Sequence, residues 1–128
     1  MLPKILVFCY ELLHGTQDPV FRDQIYEPAG IALLISTVLL VFCYYYGING
    51  LRARFSRTWP HWSGFLILNA IVNVGSILWI ASRAEGIKVF GMPTLLLCFI
   101  NAVYAALGFF IASAVFKWGS PNARRTPF

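Results

Sequence analysis

The stretch PTLLLCFINAVYAALGFFIASAVF, Pro93 to Phe116, decides the fold. It holds no Asp, Glu, Lys, Arg or His, and Lys117 is the first charge after it. At about 1.5 Å per residue, a helix of this length crosses the roughly 30 Å hydrocarbon core of a bilayer. Two stretches of the same kind precede it, Pro28 to Leu51 and Trp62 to Ile80. None alternates apolar with polar residues in the manner of a barrel strand. The sequence therefore predicts an all-α integral membrane protein with three transmembrane helices, over about 28–51, 62–80 and 93–116. The connections are short, so consecutive helices are expected to be antiparallel neighbours in an up-down-up bundle.

Composition agrees. The chain has 128 residues, of which 59% are hydrophobic and only 12% charged, and its mean hydropathy is +0.70. Soluble domains carry about twice that share of charge. The net charge of +5 is not read as a nucleic-acid footprint, because no solvated domain gathers the bases on one face. Cys9, Cys43 and Cys98 are far apart and lack CxxC or Cys/His spacing, which argues against zinc, haem attachment and a disulfide framework. His14 and His61 are single residues near helix ends and are read as interfacial.

The chain divides into an N-terminal interfacial or extramembrane helical segment at 1–27, a three-helix transmembrane domain at 28–118 and a C-terminal tail at 119–128. In the first segment an apolar run follows Lys4, but Glu11 interrupts it and no A-x-A-like site follows, so it is expected to be retained. Lys4 and Glu11 share one helical face, while Leu2, Ile5, Leu6, Cys9, Leu12 and Leu13 form another. That pattern predicts a short helix lying in the interface, or packed on another subunit. Asp18-Pro19 then reads as the cap and first position of a second short helix, Pro19 to Glu27. Pro28, Pro60 and Pro93 each stand at a span start, where a missing N–H costs little.

Orientation follows from the basic residues. Arg52, Arg54 and Arg57 form a basic loop after the first span and lie on the same side as Lys117, Arg124 and Arg125. The opposite side holds Lys4, Arg22, Arg83 and Lys88. The richer side is expected to be cytoplasmic or matrix, which puts the N-terminus outside and the C-terminus inside. Trp59, Trp62, Trp79 and Trp118 all fall at expected span ends, where an indole meets both lipid and headgroups. A bacterial cytoplasmic membrane is the first expectation for location, with an organellar inner membrane as the alternative.

The polar residues inside the spans are the candidate site. Ser36 and Thr37 lie in the first, Asn69, Asn73 and Ser76 in the second, Asn101 and Tyr104 in the third. Counted from the span starts, Ser36, Asn73 and Asn101 come within a helical turn of one level near the midplane. An amide in hydrocarbon must find a partner, so the bland reading is a structural cluster of interhelical hydrogen bonds. The functional reading is a small polar cavity for a solute, quinone headgroup or water. The cluster has no ionisable Asp, Glu, Lys, Arg or His, one of which proton coupling or ion-pair gating would normally need.

A second feature is the face Asn101, Ala105, Gly108 and Ala112 on the third span, whose small residues let another backbone come close, within the chain or beyond it. The chain shows no nucleophile beside a base, no Gly-rich phosphate loop and no metal-ligand spacing. The expected function is a non-catalytic small membrane subunit that anchors, scaffolds or adapts a larger complex, without cofactor. Its expected partners are the lipid bilayer and other membrane subunits, with no nucleic acid. The alternative is a small homo-oligomeric channel or transporter with its pore between protomers.

Overall fold

The computed structural model of the protein describes residues 2–14, 22–48, 58–84 and 86–119. Among the described residues there is no strand. Helix α1 spans Leu2–His14. Helix α2 spans Glu27–Phe42 and is extended at both ends by π-helical turns, Arg22–Tyr26 and Cys43–Ile48. Helices α3 and α4 span Thr58–Arg83 and Met92–Gly119. Three helical stretches are long and apolar enough to cross a membrane: Asp23–Tyr46, Trp62–Arg83 and Met92–Lys117.

The first of these begins earlier than the proline punctuation suggests. Pro28 does not open the helix, because Tyr26 already has helical dihedrals, φ −63° and ψ −46°. A proline inside an α-helix clashes with the carbonyl four residues back, here that of Gln24. The turn at Arg22–Tyr26 is widened to π geometry, in which hydrogen bonds reach one residue further. The chain thereby carries the helix through the proline instead of starting it there. The expected cap at Asp18-Pro19, the basic loop Arg52, Arg54 and Arg57, and the tail beyond Gly119 lie outside the described residues.

At the other end of α2 the π turn places the consecutive residues Tyr44 and Tyr45 both in the interior, with rings edge to face at 5.0 Å. The connection between α3 and α4 is tight. Gly86 takes φ +78°, a conformation that a side chain would strain. Thr94 Oγ1 donates to the carbonyl of Lys88 at 2.9 Å and ties that turn to the start of α4.

Two apolar clusters hold the helices together. One gathers Tyr10, Ile25, Tyr26, Ala29, Ile77, Ala81, Leu97 and Ile100 toward the Arg83 end of the bundle. The other gathers Val41, Tyr44, Tyr45, Trp62 and Phe109 toward the Lys117 end. Large side chains such as Ile35, Ile71, Phe99 and Val115 point outward, as suits a protein whose solvent is as apolar as its core.

Helix α1 packs on α2 and α4. His14 meets Pro93 and Tyr26, Tyr10 meets Asn101, and the Cys9 carbonyl meets Tyr104. Read from His14 toward Leu2, the contacts thus progress along α4 away from its first residue. Leu2, Ile5, Phe8, Leu12 and Leu13 are exposed on the other side of α1.

Candidate functional site

Between the two apolar clusters lies a layer of neutral polar side chains. Asn69, Asn73 and Asn101 are each 0% exposed, and Thr37 is 4% exposed. Asn69 Nδ2 donates to Thr37 Oγ1 at 3.0 Å and to the Ala105 carbonyl at 2.9 Å, so one amide on α3 binds both α2 and α4. Asn73 Nδ2 donates to Ser36 Oγ at 3.0 Å and to the Asn69 carbonyl one turn back at 2.8 Å. Asn101 Nδ2 donates to the Asn73 carbonyl at 3.0 Å. Ser36, Asn73 and Asn101 are therefore connected at one level, and Asn69, one turn further along α3 toward the Lys117 end, bonds to Thr37, the residue after Ser36.

The layer extends into α1. The Tyr10 phenol, 2% exposed, donates to Asn101 Oδ1. Tyr104, on the same face of α4 as Asn101, donates to the Cys9 carbonyl at 2.6 Å. Burial pushes the Tyr10 phenol well above its ordinary pKa, with Tyr104 and Cys9 adding to the effect. Tyr10 is thus held as a neutral donor.

A histidine clasp lies above it. His14 is buried, and its Nε2 lies 2.8 Å from the Pro93 carbonyl. A carbonyl only accepts, so Nε2 carries the hydrogen; in the neutral ring, Nδ1 then accepts from the Tyr26 hydroxyl at 2.6 Å. Tyr26 also stacks on Tyr10, with ring centroids 5.5 Å apart. The clasp joins α1, the first turn of the α2 assembly and the start of α4.

Tyr10, His14 and Tyr26 are the residues that sequence reasoning missed. Leu6, Tyr10 and His14 follow each other at four-residue spacing, which was the available signal. Reading Lys4 and Glu11 as the polar face hid it, because a helix packed on a membrane bundle turns hydrogen-bonding groups inward.

The small face of α4 is used within the chain. Ala105 is fully buried, and a Cβ at Gly108 would stand 3.6 Å from Thr37 Cγ2, an ordinary contact. Ala112 packs on the Tyr44 and Trp62 cluster, beside which Trp62 Nε1 donates to Ser113 Oγ at 3.2 Å. Ser76 stands apart from the polar layer and donates to its own helix, at the Val72 carbonyl.

Chemically, the layer is a set of neutral donors and acceptors that mostly satisfy one another. Asn73 Oδ1 is the exception in the layer, buried without a partner. No group of three or more His, Cys, Asp or Glu among the described residues is placed to hold a metal ion. Three long apolar helices with a neutral polar seam define a multi-pass membrane protein. No family model, curated protein or solved structure matches the chain.

Proposed function

We propose that the chain is a non-catalytic integral membrane subunit that anchors, scaffolds or adapts a larger assembly. One observation carries the reading. The buried polar side chains at the centre of the bundle bond helix to helix, with neutral groups only. Such a seam fixes which helix faces which, at about 0.6 to 2 kcal/mol per bond. A conducting pathway would want ionisable groups or a polar outer face for a pore between protomers. The exposed side chains of the spans are instead predominantly large and apolar, which supports scaffold over pore.

In this reading the three helices cross up-down-up, with the N-terminus outside and the C-terminus inside, in a bacterial cytoplasmic membrane or, alternatively, an organellar inner membrane. The six-to-four basic asymmetry of the sequence supports that orientation. The exposed apolar side of α1 supports a placement dipping from the outer interface alongside α2 and α4, instead of flat upon it. Purification of the full chain from its native membrane in mild detergent tests the proposal. A foreign subunit at fixed stoichiometry supports it, and a closed homo-oligomer with measurable solute flux in vesicles overturns it.

A further inference from the structure

At the Arg83 end of the bundle, a cavity of about 230 Å³ opens between α3 and the first turns of the α2 assembly. Gln24, Pro28, Trp79, Ile80, Arg83 and Ala84 line it. Arg83 ends one span and Gln24 lies at the matching end of another, so the cavity stands where hydrocarbon gives way to headgroups. Trp79, exposed beside it, is the residue type that settles at that level.

The charge in the cavity is already oriented. The Arg83 guanidinium carbon lies 4.5 Å from the centre of the Trp79 ring. Stacking on the ring face uses the cation's charge but not its in-plane N–H groups. No carboxylate among the described residues forms an ion pair with Arg83, and the exposed Asp23 and Glu27 do not line the cavity. The cavity therefore brings a planar fork of donors to a place where no side chain among the described residues pairs with it. Gln24 adds an amide on the opposite wall, while Pro28, Ile80 and Ala84 make an apolar floor.

A group that satisfies all of these walls is anionic, accepts two parallel hydrogen bonds and has an apolar part attached. We propose that this cavity binds the phosphodiester of an anionic phospholipid, with the phosphate on Arg83 and Gln24 and the glycerol and first methylenes on Pro28 and Ile80. Arginine suits this role because its fork matches two phosphate oxygens at once, which a lysine ammonium does not. The site is independent of whether the protein serves as a subunit.

The test titrates the purified full chain with phosphatidylglycerol and counts retained lipid by native mass spectrometry. The wild type is expected to retain one tightly held lipid per chain, and Arg83→Gln to weaken that retention about tenfold, with Arg83→Lys between them. Diacylglycerol, which has the apolar part without the phosphate, should show no dependence on residue 83. Arg83 is exposed, so its variants should keep the wild-type helix content by circular dichroism; should one fail to fold, Gln24→Leu on the facing wall replaces it. Equal retention by the wild type and Arg83→Gln overturns the proposal. So does displacement of the lipid by millimolar inorganic phosphate, which would make this a site for a free anion.

Discussion

The phenol of Tyr10 donates its hydrogen bond to the side-chain carbonyl of Asn101, 91 residues further along the chain. Through this bond an N-terminal helix that does not itself qualify as a span joins the polar seam of three that do. Asn101 passes the connection to the Asn73 backbone, and the Asn73 amide to Ser36 and Asn69. A change at Tyr10 should therefore be felt as a change in the bundle.

Tyr10→Phe keeps the ring that stacks on Tyr26 and removes only the donor. Asn101 Oδ1 then remains buried without its partner, at an expected cost of about 1 to 2 kcal/mol. Reversible unfolding in detergent would show the loss as an earlier transition. An unchanged transition would mean that Tyr10 contributes only its ring.

The raised pKa of Tyr10 gives a pH signature. An unfolded tyrosine releases its proton near pH 10, while the buried phenol in the folded chain holds on to it. Above about pH 10 the unfolded state therefore binds fewer protons than the folded one, and stability falls as pH rises. Below that value this group adds no slope. Comparing wild type with Tyr10→Phe between pH 8 and 11 isolates the effect, and the variant should lose stability less steeply at the alkaline end. Parallel curves for the two proteins would count against a buried neutral phenol.

The apolar lengths and the levels of the polar side chains were legible in the sequence for a simple reason. Lipid admits few backbone solutions, so Pro93 to Phe116 has little choice but to be helical, and a rise per residue converts sequence position into depth for Ser36, Asn73 and Asn101. The N-terminal helix was harder to read. Its buried face is Leu6, Tyr10 and His14, and its exposed face is the more apolar one, the reverse of the pattern expected of a helix beside water. Pro28 misled for a different reason, since a widened turn lets a proline sit inside a helix while leaving no trace in composition. The cavity beside Arg83 depends on which ends of α2 and α3 meet, which no local pattern encodes.

Asn69 and Asn73 look alike in sequence, yet substitution should separate them. Asn69→Leu leaves Thr37 Oγ1 and the Ala105 carbonyl without their shared donor, and we expect a loss of about 1 to 2 kcal/mol. Asn73→Leu removes the bond to Ser36 but also removes an oxygen that is buried without a partner, and the Asn73 backbone carbonyl can still accept from Asn101. Its cost should be about 1 kcal/mol or less, with Asn73→Ser milder still. Thermal stability of the three variants in one detergent gives the ranking. If Asn73→Leu proves the most damaging, the unpartnered oxygen is bonded in the membrane.

Gly30 and Gly108 make the last contrast. A Cβ at Gly30 would lie 2.9 Å from Leu6 Cδ1 and 3.0 Å from Leu6 Cβ, closer than side chains pack, whereas one at Gly108 would meet Thr37 at 3.6 Å. Gly30→Ala should therefore push α1 away from α2, while Gly108→Ala should be accommodated and gain about 0.5 to 1 kcal/mol of helix propensity. The native thiol of Cys9, half-buried on α1, reports the displacement. Maleimide labelling of Cys9, in a chain with Cys43→Ser and Cys98→Ala, should quicken several-fold in Gly30→Ala and stay at the parent rate in Gly108→Ala. Gly108→Leu, by contrast, drives a full side chain between α4 and Thr37 and should lower accumulation of the folded protein itself. Normal accumulation of Gly108→Leu with loss of a bound partner would mean that this face meets another subunit in the membrane, and α4 would then have to lie further from α2 than it does here.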